Sequence, residues 1–374
     1  MMKTIIKRMF QWAGLPGLLA AGCLPAQALV IVPTWDSSIT SDSNAATIES
    51  TINTAIQFYE ASFSDPVTVN IYFEEMSTAG LEGHSNWWYY DLSYAQFRAA
   101  LQSDASTTND TLALAHLPGG SANPVTGSGY VRVKTANLRA LGFTGYTSGL
   151  AGGVDGIIGL HTSQMNLSRA SIDPNKYDLM ATAEHEMDEV LGLCSGLDSS
   201  SSDPFPEDLF RYTTSGSRTY TTGGDNAYFS LDGVTDLARF NQNTDGYSGG
   251  DYGDWWSSGA RVPQVQDAAI TPGATPNPKV ELTALDVIGY HLVPAPVPVI
   301  TSITLAGTNL VIHGVNGLAS GAYTVLTATN ITLPRAQWTP VATNSLNANG
   351  AFAFTAVNAM NPRNPRQYYL LELP

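Results

Sequence analysis

The run YDLMATAEHEMDEVLGLCS spans Tyr177 to Ser195. At 100° per residue, Leu179, Met180, Ala183, Met187, Val190 and Leu191 fall in one apolar arc. His185, Glu189 and Gly192 gather opposite it, and Glu186 lies at the flank. This predicts a helix with one face in a core and a His/Glu pair one turn apart on the other. Ligand atoms from successive turns reach one ion, so His185 and Glu189 form a scaffold for a divalent metal, with Glu186 beside it to hold water. The competing reading is a pair on a solvated face, worth a few tenths of a kcal/mol. Three features favour the metal. Glu184, Glu186, Asp188 and Glu189 crowd together with no Lys or Arg close by in the sequence. They stand toward the helix C-terminus, where the dipole disfavours negative charge. Gly192 stands where a left-handed helix exit needs glycine.

The same run resembles the active-site helix of zincin metallopeptidases, and of metzincins in particular, whose pattern is HExxHxxGxxH. At that spacing this chain has His185, Glu186, Glu189, Gly192 and Ser195, so the second and third ligand histidines are replaced. It is more similar to bacterial secreted metalloproteases whose helix carries HE-x-D/S-E-V-L/M-G. Matching segments include DLFRYT (Asp208 to Thr213), AYFSLDG, GDYGDWW and ELTALDVIGY, over about Val30 to Leu292. The resemblance implies an α+β fold: a zincin-like catalytic domain with a mixed sheet and an active-site helix. It implies a secreted zinc-dependent endopeptidase acting on protein or peptide substrates. His185 and Glu189 would hold Zn²⁺ and Glu186 would act as general base. A ligand set richer in carboxylate than the usual histidines makes zinc a weaker Lewis acid, or favours a harder ion.

The third ligand has to come from later in the chain. Gly196 to Thr283 contains no His, which leaves Asp, Glu, Tyr or water, and no Met, so the Met-turn of metzincins is missing. Asp208 in PEDLFRYT is the candidate, its alternatives being a pair with Arg211 or a turn cap. His161 is a weaker candidate, since a strand or loop histidine is more often an ordinary hydrogen-bonded residue. Cys194 reads as a small buried filler rather than a thiolate ligand. Asn241, Asn243 and Asp245-Gly246 faintly echo a calcium loop, but Tyr252 stands where a bidentate Glu belongs, so Ca²⁺ as a structural ion is a minor expectation. Trp255-Trp256 reads as packing.

Residues 1–28 carry Lys3, Lys7 and Arg8, an apolar stretch and Ala26-Gln27-Ala28, the pattern of a secretory signal peptide. A lipoprotein anchor through Cys23 is the lesser alternative, because Ala20 stands where such motifs have Leu. Without these residues, which hold three positive charges and no acid, the formal net charge moves from −15 to −18. That argues against nucleic acid or an anionic membrane as partner. No later apolar run is long enough to span a membrane.

The order strand, helix, strand, helix, strands and active-site helix is expected over residues 29–292. The resemblance implies that the strand at Gly159 to Thr162 is the sheet edge lining the cleft, where an extended peptide can add, and Val280 to Tyr290 is expected to close the domain as a helix. Residues 293–299, with Pro294, Pro296 and Pro298, form a stiff linker. Residues 300–374 read as a small all-β, sandwich-like domain without clustered acid/base residues, suited to attachment to a cell surface or matrix. Two other functions stay open: a catalytically inactive zincin-like binding protein, and a glycan-binding protein suggested by Trp87 to Tyr90 and Trp255-Trp256.

Overall fold

The computed structural model of the chain describes residues 28–372 apart from 79, 199–202, 243–250, 260, 295–297, 318–321, 348–349 and 361–365. It separates into two units, Met1–Leu292 and Val293–Pro374. The signal-peptide reading, Asn243 and Asp245-Gly246 of the calcium reading, and Pro296 of the linker lie outside the described residues.

The first unit begins with β1 (Val30–Trp35), α1 (Ser37–Thr40), α2 (Ala45–Ser62), β2 (Thr68–Glu75), β3 (Gly83–Trp87) and β4 (Tyr89–Ser93). It continues with α3 (Tyr94–Asp104), α4 (Thr108–His116), β5 (Tyr130–Lys134), α5 (Thr135–Ala140), β6 (Gly156–Leu160), β7 (Met165–Asn166) and β8 (Tyr177–Asp178). Then come α6 (Leu179–Leu191), the short strands β9 (Arg211–Thr213), β10 (Ala227–Phe229) and β11 (Ala238–Arg239), and α7 (Val280–Val287). The class is mixed α+β.

The main sheet has the order β1-β2-β6-β3, with β1, β2 and β6 parallel and β3 antiparallel to β6. In β2 the buried Val69, Ile71 and Phe73 alternate with more exposed neighbours, as a half-buried strand requires. The edge is not where the resemblance implied. The strand ending at Leu160 is interior, and GHSNW, which has no apolar alternation to reveal it, adds outside it as β3.

Helix α6 is the centre of this unit. Asp178 caps it, accepting from Ala181 N, and is held in turn by Arg169 Nε at 2.7 Å. Leu179, Ala183, Met187, Val190 and Leu191 enter the core, each large apolar side chain contributing about 1.5–3 kcal/mol by burial. The opposite face is buried as well: every residue from Ala181 to Leu191 is inside. Sequence periodicity predicts an amphipathic helix, but the chain after α6 folds back over its polar side. Gly192 ends the helix at φ 161°, an extended rather than left-handed exit. Glycine is needed there for space, because a Cβ would meet Ile288 Cδ1 at 2.6 Å.

The second unit consists of β12 (Val299–Ala306), β13 (Asn309–Val315), β14 (Ala322–Ala328), β15 (Thr339–Ser345), β16 (Phe352–Ala356) and β17 (Tyr368–Glu372). They form two antiparallel three-stranded sheets, β12-β13-β16 and β15-β14-β17. Ile312, Phe352 and Phe354 of one share a core with Tyr323 and Val325 of the other, the arrangement of a small sandwich.

Glu184 on α6 is fully buried, and neither carboxyl oxygen has a hydrogen-bond partner. Burial raises its pKa to about 8; Arg169 opposes the rise, and Asp178 and Glu281 add to it. The folded chain therefore keeps a proton that the unfolded chain releases near 4.5, and stability falls as pH climbs from there toward about 8. Glu184→Met removes the charge at similar length. In chelator, its melting temperature should exceed that of the parent by several degrees at about pH 8.5, with the gap closing at about pH 4.5. An equal shift at both pH values in thermal unfolding would sink this account of Glu184.

Candidate metal centre

Helix α6 carries His185 and Glu189 on successive turns, and the loop before Trp255 brings Asp254 to them. One ligand atom from each of these three buried residues lies within 4.8 Å of the others, and His185 Nε2 stands 3.7 Å from Asp254 Oδ1. Four-coordinate zinc with bonds of about 2.0–2.1 Å sets its ligand atoms about 3.3 Å apart, so little closure is needed. One imidazole nitrogen and two carboxylate oxygens suit zinc or a harder divalent ion.

Each donor is aimed by a neighbour. His185 Nδ1 lies 3.0 Å from the carbonyl oxygen of Val265. A carbonyl only accepts, so Nδ1 donates to it, which leaves Nε2 as the nitrogen that can face an ion. Ser85 Oγ on β3 donates to Glu189 Oε2. Asp254 is set by its backbone. A Cβ on Gly253 would meet Cys194 Cα at 2.6 Å, so that loop lies directly on the chain leaving α6. Asn241 N donates to Asp254 O at 2.7 Å, and Gln266 Nε2 donates to Asp254 Oδ1 at 3.0 Å. Gln266 and Trp255 are in turn fixed by Glu281 of α7, whose Oε1 accepts from Gln266 N and Trp255 Nε1.

The acids of the site stand in a buried, crowded setting. Burial, then the neighbouring Glu189, Asp254 and Asp251 carboxylates, push Glu186 well above the usual carboxylate range. Asp254 is raised in the same way, by burial and then by Asp251 and Glu189. Burial raises Glu189 too, although His185 and Lys134 oppose the shift. An ammonium group, that of Lys134, comes in from far back in the sequence. Its Nζ donates to the carbonyl oxygens of Glu189 at 2.5 Å and Leu193 at 3.0 Å, completing the C-terminal end of α6. The three carboxyl groups lie in a cleft of about 690 Å³ that is also lined by Gly80 to Ser85, Tyr177, Asp251 and Ala268 to Ile270. Gly83 leaves room for Glu186: a Cβ there would meet Glu186 Oε1 at 2.5 Å.

Of the sequence-derived candidates, His185, Glu186 and Glu189 meet in this cleft and Asp208 does not. Asp208 accepts from Ser195 Oγ at 2.6 Å and from the backbone N–H groups of Gly196 and Phe205, each at 2.9 Å. It pins the chain after α6, and Asp254 is the carboxylate that joins His185 and Glu189 in the group that could hold a metal. His161 also stays outside the ligand group and lies 3.2 Å from Leu81 O through Nδ1. Cys194 is a buried free thiol. Trp255 is a fully buried core residue. Asn241 holds the loop by donating to Asp251 O. Asp254, Ser85 and Gln266 were invisible to spacing rules, because each reaches the site from a separate segment. The only hint in the sequence was Gly253-Asp254 within GDYGDWW.

Removing Asp254 with Asp254→Ala should lose most bound divalent metal, with little loss of fold in chelator. Asp208→Ala should do the reverse: it strips a buried carboxylate from three donors, lowers stability by several kcal/mol and keeps metal in the protein that remains folded. Metal content by mass spectrometry and melting temperature on both variants check this. Compared with protein-family models, curated proteins and solved structures, the chain has no match in any of the three. What the site can do therefore rests on its own geometry.

Proposed function

We propose that the first unit is a zincin-like, metal-dependent peptidase, exported from the cell by the leader read in residues 1–28. The observation that carries this is the buried His185–Glu189–Asp254 group with the Glu186 carboxyl beside it in an open cleft along the sheet edge. A divalent ion held there supplies Lewis-acid polarisation of a carbonyl and lowers the pKa of water.

The protein's own residues do the rest. Glu186, on the flank of α6 between the two helical ligands, takes a proton from the attacking water and hands it to the leaving amine. Burial and the neighbouring carboxylates raise its pKa, which favours the protonated form that donates to the leaving amine. β3, at the edge of the sheet, offers backbone groups to an extended chain. Among the described residues the cleft is lined by Glu82, Asp251 and Asp254, by Asp267 in its pair with Arg261, and by no lysine or arginine, so substrates bearing positive side chains are favoured. Among the described residues no helix is long and apolar enough to cross a membrane.

Glu186→Gln tests the reading, because it keeps the shape of the side chain and removes the base. Hydrolysis of an unfolded protein should fall by about 10²–10⁴-fold while metal content and melting temperature stay at the parent values. Full activity in the variant would rule out Glu186 as the base.

A further inference from the structure

We propose that Ser85 makes Glu189 a one-oxygen ligand and thereby selects a small, four-coordinate ion over larger ones. This inference rests on the metal reading above. Ser85 Oγ donates to Glu189 Oε2, which leaves Oε1 as the oxygen without that donor. A carboxylate with both oxygens free can chelate, and chelation suits ions that take six or more oxygen ligands at longer distances. Tied at one oxygen, Glu189 contributes a single donor, as an imidazole would in the same place.

The contact is dictated by backbone packing. On β3 alternate residues face α6. A Cβ on Gly83 would strike Glu186 Oε1 at 2.5 Å and Thr182 Cγ2 at 2.8 Å. Two residues on, Ser85 meets Glu189, and two further, the Trp87 ring lies 3.8 Å from Lys134 Nζ. The register Gly83↔Leu160, Ser85↔Ile158 and Trp87↔Gly156 fixes these positions. On β6 the Gly156 backbone presses against Val190, where a Cβ would come within 2.3 Å of Cγ2. Sheet and helix are thus held at glycine distance on either side of Ser85, and its hydroxyl has little freedom to leave Glu189. A donor set rich in carboxylate leans toward harder ions; Ser85 turns that preference back toward zinc.

The test is metal binding by the full chain, stripped and then titrated with chelator-buffered Zn²⁺ or Mn²⁺, for the parent, Ser85→Ala and the isosteric pair Ser85→Thr and Ser85→Val. Zn²⁺ affinity should fall about 10- to 100-fold in Ser85→Ala and Ser85→Val, while Mn²⁺ affinity holds or rises, and Ser85→Thr should retain the parent's Zn²⁺/Mn²⁺ ratio. The Thr/Val comparison decides the matter if the alanine variant does not fold. An unchanged ratio, or an equal loss of both ions, overturns the role of Ser85 and leaves the metal centre standing. A parent that takes up neither ion overturns the metal reading and this inference together.

Discussion

Close backbone packing at three glycines, two against α6 and one against the chain leaving it, is the constraint on which the rest of the first unit depends. Gly156 lies on Val190, Gly83 on Glu186 and Thr182, and Gly253 on the Cys194–Ser195 backbone. At each position a Cβ would sit 2.3–2.8 Å from its neighbour, inside any real contact distance. Sheet, edge strand and late loop can therefore close on α6 from three directions with no side chain between. A close-packed interior transmits such spacing with little give. The donors carried by those segments, Ser85 beside Gly83 and Asp254 beside Gly253, are placed by it.

Enclosing α6 on all sides has an electrostatic consequence, because the helix carries four acids in six residues. The fold handles them in different ways. Tyr59 OH donates to Asp188 Oδ1 at 2.7 Å from α2. Glu184 has no donor and is kept neutral by its surroundings. Glu189 has Ser85 at one oxygen and Lys134 at its backbone carbonyl. Glu186 lies in the cleft against the Glu189 carboxyl, and burial with that neighbour raises its pKa. Removing the Lys134 ammonium would leave carbonyls at the helix end without a donor in a buried place, which is costly.

The same logic explains why a long stretch of loops follows the helix. Asp208 gathers the N–H groups of Gly196 and Phe205. Arg211, fully buried, donates to Tyr252 O at 2.7 Å and to Asn241 O at 3.3 Å. These polar side chains replace the regular ladders that a sheet would supply, because every buried backbone group needs a partner. In the second unit the ordinary solution suffices, with two small sheets sharing a core around Ile312, Tyr323 and Phe352.

Local information determined much of this protein. Helix periodicity predicted α6 over the residues that form it, alternation predicted β2, and the i, i+4 pair of His185 and Glu189 with Glu186 beside it came from spacing alone. These are short-range relations, set by the 3.6- and 2-residue repeats. What the sequence could not determine is what comes to that helix from elsewhere. Spacing pointed to Asp208 because it is an early strong carboxylate after α6, whereas the fold spends it on a turn and brings in Asp254 on a glycine contact. The edge strand lacked a pattern because GHSNW is polar and small, and Gly192 seemed to need a left-handed turn when it needed only room beside Ile288. Such choices depend on distances between segments far apart in the chain, and only the tertiary structure fixes those.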